Sequence, residues 1–284
     1  MSRGDIEAFK ASWQNRPETK RYHFRVGTPQ HQVEFAFQNH WRVFQALIGA
    51  VPPGIALEVG AGRGSMAAFF AHAGYDTHLL DTSAAALLSG RDNFRRDGLP
   101  GHYIVGDALR LPYPDNSVDV VVSIGLMEHF EVIADACAEQ IRVLKPGGIL
   151  LNYVVPERAV SVQTLALPIN TLLKALYTAH LFVQGRRRPA APKTNLYRNS
   201  FNSREYLTVY RELGVQACGA YGTFPVPLVS HSHQFPFSPM APLAEKALMA
   251  LWRALLSVYG VLSRHDPWIC HEYWGLAFVA WARK

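Results

Sequence analysis

The stretch LEVGAGRGS, residues 57–65, places glycines at 60, 62 and 64 directly after an apolar run. A strand that feeds a glycine-rich turn and then a helix is the backbone arrangement of nucleotide-binding loops. Glycine lacks a Cβ, so the chain can approach a ligand closely and take positive φ. The same trio also suits a tight strand-to-helix turn without a ligand. Its order departs from the dinucleotide fingerprint G-x-G-x-x-G, whose helix N-terminus receives a pyrophosphate, because the third glycine arrives one residue early.

Working outward, apolar runs alternate with helical patterns from 55 to 155. Strands are expected at 55–59, 77–81, 103–107, 118–124 and 149–155. Helices are expected at 64–73, from a Ser83 cap to about Arg96, and at 131–144, with KPGG (145–148) turning the chain before the fifth strand. The β-branched run VDVVVSI suits a strand buried on both faces. This cadence predicts a parallel sheet with helices on both sides. Asp81 closes the second strand, 21 residues after Gly60, where a carboxylate accepts hydrogen bonds from ribose hydroxyls. Asp107 closes the third and can face the exocyclic amine of an adenine. A solvated acid at a strand end is the alternative for each.

Before this core, HQVEFAFQNHWRVFQALIG puts Val33, Phe37, Trp41, Phe44 and Ile48 on one helical stripe. After it, an apolar helix runs to Gln184 and GRRRPAAPK interrupts it. NSREYLTVYRELG then predicts a capped helix and VQACGAYG a strand. A segment rich in Pro, Phe and His holds a helix at 243–263, and YWGLAFVAWA (273–282) reads as the last strand.

Hydrophobic residues make up 49% of the 284, enough for a sizeable core, and the net charge of +6 permits an anionic partner without demanding one. Cys137, Cys218 and Cys270 have no CxxC spacing, which argues against a disulfide framework or a zinc ribbon and favours a reducing compartment. MSRGDIEAFK has no apolar core of a secretory signal, and no stretch reaches about 18 uncharged apolar residues. Residues 159–173 come closest.

Together, LEVGAGRGS, LLDTS, GDALRLPYPDNSVDVVVS, MEHF and VLKPGG resemble the class I S-adenosylmethionine-dependent methyltransferases, most of all the small-molecule branch that includes the ubiquinone and menaquinone pathway enzymes. The resemblance covers roughly 55–155. It implies an α/β, Rossmann-like, doubly wound sheet of seven strands, the last antiparallel. It implies S-adenosylmethionine as cofactor, with Gly60, Ala61, Gly62 and Gly64 beside its methionine part, Glu58 supporting the loop, Asp81 and Thr82 at the ribose, and Asp107 and Ala108 at the adenine. Ser123, in the fourth strand, is a further cofactor-side candidate. The expected organisation is a helical arm (1–54), the cofactor core (55–155), a lid insertion (156–202), a core helix and strand (203–222), a second insertion (223–270) and the final strand (271–284).

His129 follows the fourth strand at the carboxyl edge, where ligands sit in such sheets, and is the first candidate for a general base or acceptor contact, with a structural histidine as the alternative. Tyr22, with His23, would cover the site from the arm, and His231 and His233 would line a substrate cavity. The pair His231-x-His233, with His271 and Glu272 further on, lacks a fixed metal-ligand spacing, and no metal is expected. The apolar insertions suit a lid over a small hydrophobic or aromatic acceptor, lipid-like or a natural product, or else they simply pack or form a dimer contact. Arg186, Arg187 and Arg188 would meet anionic headgroups or form a solvated loop, so the protein is expected in the cytoplasm, with peripheral membrane contact as an option and the oligomeric state open.

A nucleic-acid methyltransferase is the alternative, but basic stretches lack interleaved aromatics, and SIGL stands where amino-methylating nucleic-acid enzymes carry Asn-Pro-Pro-aromatic. The glycine spacing and Asp107 speak against a NAD-dependent oxidoreductase. A complete glycine and carboxylate set speaks against a non-catalytic scaffold.

Overall fold

The computed structural model describes residues 22–49, 52–186, 197–231 and 240–284. Its centre is one sheet of order β3-β2-β1-β4-β5-β8-β6-β7. Strands β1 (Ile55–Val59), β2 (Asp76–Asp81), β3 (His102–Val105), β4 (Val118–Ile124) and β5 (Leu144–Val154) are mutually parallel. β8 (Ala277–Arg283) inserts antiparallel between β5 and β6 (Ala217–Thr223). The eighth strand, β7 (Ile269–Cys270), pairs antiparallel with the edge of β6. Two residues carry no readable periodicity, so the sequence predicts seven strands where the sheet has eight.

Alternation along the central strands fills both faces, as a buried parallel sheet requires. Val120, Val122, Ile149 and Leu151 face α1 (Gln32–Ile48), α2 (Ser65–His72) and the inner side of α7 (Pro242–Ser263). Val121, Leu150, Val154 and Phe278 face α4 (Ala134–Val143) and α6 (Ser203–Glu212). α3 (Ala84–Asp97) packs Leu87 and Phe94 on Leu79 and α2 at the β3 end. Its cap is the expected one, with the Ser83 side chain accepting from the Ala86 amide. Strand order reverses between β1 and β4, and the crevice outside their carboxyl ends is where such sheets bind ligands.

Four local expectations change. In α1 the buried stripe is Gln32, Phe35, Ala36, Val43, Phe44 and Ile48, with Val33, Phe37 and Trp41 only partly covered. The reason is polar residues facing inward with partners. Gln32 is wired to Glu245 of α7 and to Val229. His40, held down to a pKa of about 3 by burial, accepts from the Trp268 indole. KPGG lies within β5: Val118 pairs with Leu144 and Val120 with Ile149, so the extra residues form a bulge. β3 stops at Val105, leaving Asp107 in an isolated bridge with Arg110. β8 starts only at Ala277, because residues 271–275 form a turn closed by the Trp274 and Gly275 amides on His271. The apolar helix after β5 is α5 (Leu167–Val183).

Candidate active site

The loop after β1 is built by hydrogen bonds that its sequence prepares. The Gly60 and Ala61 amides donate to the Leu80 carbonyl at 2.8 and 3.0 Å, locking the turn to β2. Gly60, Gly62 and Gly64 all take left-handed φ, between 54° and 72°. At Gly60 a Cβ would lie 3.0 Å from Leu126, on the loop after β4, so glycine keeps the two sides of the switch point close. Glu58, on β1, accepts from the Ala67 amide in the first turn of α2 at 2.7 Å. Burial pushes its carboxyl up to about 8, against the pull of that amide.

Asp81 is 2% exposed and organises the same rim. One carboxylate oxygen accepts from Gly62 at 2.9 Å and the other from Ser83 at 2.8 Å. Burial raises its pKa and these amides oppose the rise. The Thr82 amide also acts on this carboxylate.

These residues open on a cleft of about 450 Å³, counting space open to solvent. Its floor and polar side are Gly60, Asp81, Thr82, Gly106, Asp107 and Ala108, and its apolar walls are Leu80, Leu109, Leu126 and Phe130. Asp107 is exposed and accepts from the Leu109 amide at 3.0 Å, which folds the Asp107–Arg110 turn over one end. The sequence missed the walls because Leu80, Leu109, Leu126 and Phe130 carry no chemistry that marks them.

A strap from the segment after 196 holds the loop that follows β4. The Asn199 side-chain amide donates to the Met127 and Phe130 carbonyls, and its backbone amide donates to Glu128 O. His129, 6% exposed, has Nδ1 at 2.6 Å from the Tyr197 carbonyl. That contact requires Nδ1–H to donate, so Nε2 is the basic nitrogen of the ring.

Glu128, on the loop after β4, is buried. It is 1% exposed, and neither carboxylate oxygen accepts a well-formed hydrogen bond among the described residues. Burial pushes its pKa up to about 7, with its own amide, Arg198 and the Val155 amide pulling the other way. The buried Tyr153 and Tyr206 feel its charge. A glutamate is ordinarily a surface residue, so only the fold reveals this one.

Other expected site residues lie apart from the cleft lining. Ser123 is fully buried, and its hydroxyl donates to Asn152, which continues to Gln140 and Tyr210 inside the sheet–helix layer. Tyr22 packs under Arg96 at the last turn of α3 and against Phe24. His23 has its amide on Ser65 at the start of α2. His231 packs on Tyr177 of α5, and His233 lies outside the described residues, as do Arg187 and Arg188. Glu272 is taken up by Arg158 and Ser203.

Residues 57–152 match the family described as a methyltransferase domain. Over those residues the chain is similar to methyltransferase domains. A demethylmenaquinone methyltransferase of Renibacterium salmoninarum is 36% identical over 50% of this chain and 61% of its own length. A ubiquinone/menaquinone biosynthesis C-methyltransferase UbiE of Shewanella halifaxensis is 33% identical over 42% of this chain and 50% of its own length. The chain thus spans only about half to three-fifths of the length of these curated relatives. In fold, it resembles a Thermotoga maritima methyltransferase described as a possible histamine N-methyltransferase, with a TM-score of 0.50 and 16% identity over 88% of this chain and 90% of that one. S-adenosylmethionine is the cofactor this domain implies, and the residues fit it. Gly60 borders the cleft, where a Cβ would press on the Leu126 wall, and two carboxylates border the cleft as acceptors for hydroxyl and amine donors.

Proposed function

We propose that this chain methylates a small hydrophobic, quinone-like or aromatic acceptor from S-adenosylmethionine. The observation that carries this reading is the cleft at the switch point, with glycine backbone below, Asp81 and Asp107 at its polar side and leucine and phenylalanine walls. The activities named for the two relatives point to the same acceptor class. When bound, the cofactor supplies an electrophilic methyl on a sulfonium. The chain's own contribution is orientation and exclusion of water. Positioning alone is worth up to about 7–11 kcal/mol in the best cases. Glu128, its pKa raised to about 7 by burial, and His129, with a basic Nε2, are this reading's candidates for taking an acceptor proton, on the loop between the cleft walls Leu126 and Phe130. Calorimetric titration with S-adenosylhomocysteine, followed by transfer of labelled methyl to a reduced naphthoquinone, tests the reading. Tight binding and labelled product are expected, and no heat with S-adenosylhomocysteine would overturn it.

The reading includes a cytoplasmic enzyme lying on an anionic membrane surface. α5 turns Leu172, Leu176 and Phe182 to solvent, and α7 turns Leu251, Leu255, Val258 and Leu262. Over 160–186 and 240–265 the lysines and arginines are Lys174, Arg186, Lys246, Arg253 and Arg264, while the lone acid, Glu245, is buried. An apolar face fringed by cations suits anionic lipid. α7 is also long and apolar enough to cross a membrane by length and composition. Its Met249, Trp252 and Leu256 sit in the core beside the sheet, which favours lying along the surface. Co-sedimentation with phosphatidylglycerol vesicles, and little with phosphatidylcholine alone, is the expected result. No binding to either would remove membrane docking.

A further inference from the structure

The amino-terminal rim of the β2–β3 pair, opposite the cleft, gathers three metal-ligating side chains. Asp76 opens β2, and His78, two residues on, points to the same face. His78 stands in direct register with His102, the first residue of the edge strand β3, and their rings are 4.5 Å apart. Parallel pairing thus brings together residues that no sequence spacing connects. Both imidazoles turn Nε2 to the one carboxylate: His102 Nε2 is 3.0 Å from Asp76 Oδ1 and His78 Nε2 is 3.6 Å from Oδ2.

We propose that Asp76, His78 and His102 bind one Zn²⁺ ion. Tetrahedral zinc with ligand bonds of about 2.0–2.1 Å sets its donor atoms about 3.3 Å apart. The two measured separations bracket that value, and all three donor atoms lie within 4.8 Å of one another. A metal-bound histidine is usually oriented by a hydrogen bond at its other nitrogen. His78 Nδ1 has this in the Tyr113 hydroxyl at 2.7 Å. Two imidazoles and a carboxylate form a borderline donor set suited to zinc, with solvent in the fourth position.

Such an ion would clip the exposed, four-residue β3 to β2. The carboxyl ends of the same two strands lead to Asp81 and to the Gly106–Asp107 corner of the cleft. The inference is independent of methyl transfer, since its residues lie at the other end of the strands.

The test uses the full chain stripped with a chelator. Titration with Zn²⁺ by calorimetry should show one saturable site, and Co²⁺ should give the visible absorption of a tetrahedral complex. His102→Ala, at an exposed position, should weaken binding at least tenfold and abolish the Co²⁺ band, while His265→Ala, a distant surface histidine, leaves both intact. The proposal is overturned if the stripped wild type binds no Zn²⁺ saturably, or if His102→Ala binds it as well as wild type.

Discussion

Glu58 Oε2 accepts a 2.7 Å hydrogen bond from the Ala67 amide, so a side chain of β1 caps the helix that the glycine loop enters. The bond holds strand, loop and helix in one unit, and the helix N-terminus favours a carboxylate there. Burial has the larger effect and sets the Glu58 pKa to about 8, against an ordinary 4.5.

That shift fixes a pH dependence. A carboxyl whose folded pKa is raised holds its proton in the native state where the unfolded chain has lost it. Its stabilising contribution is complete below pH 4.5 and is lost as pH rises through 8. Glu128 acts in the same direction, up to about 7. The ligand-free protein should therefore lose melting temperature from about pH 5 to about pH 8, and Glu128→Gln should make that fall shallower between about pH 5 and 7, leaving the part from 7 to 8 to Glu58. Thermal melts of both proteins across this range check it. A wild-type midpoint that rises over the window would show that neither group is protonated in the fold.

Gly64→Ala tests the loop itself. Gly64 has φ +72° and would place its Cβ 2.4 Å from Leu79 Cδ2 and 2.9 Å from Phe94 Cε2. Left-handed backbone costs about 1–2 kcal/mol for a residue with a Cβ, and overpacking adds about 1–3 kcal/mol. The variant should melt several degrees lower and bind S-adenosylhomocysteine weakly. Wild-type melting would mean that α2 shifts to admit the methyl.

Asp81→Asn separates charge from shape. The carboxylate takes the Gly62 and Ser83 amides on different oxygens, and an amide can present only one acceptor. One buried N–H loses its partner, at about 1–3 kcal/mol. S-adenosylhomocysteine affinity should fall by about tenfold to hundredfold, with the chain still folded. Calorimetry beside circular dichroism distinguishes this from general unfolding.

The glycine trio, Asp81, Thr82, Asp107 and the β1–β5 rhythm were legible because local chemistry dictates them. A positive φ calls for glycine, a strand end for a turn, and a parallel strand for an unbroken apolar run. What was not legible depends on distant partners. The α1 stripe is rotated because Gln32 and His40 find Glu245 and Trp268, some two hundred residues away in sequence. Ser123 reads as a rim residue by position, yet its hydroxyl turns to Asn152 inside the layer. Tyr22 reads as a cover, yet its ring settles on Arg96. Asp76, His78 and His102 meet only through strand register.

Glu128 gives the sharpest test of the chemistry. It is buried, neither oxygen accepts a well-formed hydrogen bond among the described residues, and burial raises its pKa to about 7. A base of that pKa is half ionised at neutral pH, which suits proton removal from a phenolic or carbon acid. If Glu128 takes the acceptor proton, kcat/KM should rise with pH along a limb near 7. Glu128→Gln should lose that limb and fall about a hundredfold or more in rate, since general bases contribute about 10²–10⁴-fold. Glu128→Asp, with a shorter reach, should keep the limb at reduced rate. His129→Ala provides the contrast: its Nδ1 holds Tyr197, so loss of the ring should loosen the strap and raise KM more than it lowers kcat. A Glu128→Gln enzyme that keeps the limb and near-full turnover would transfer the role of base to His129.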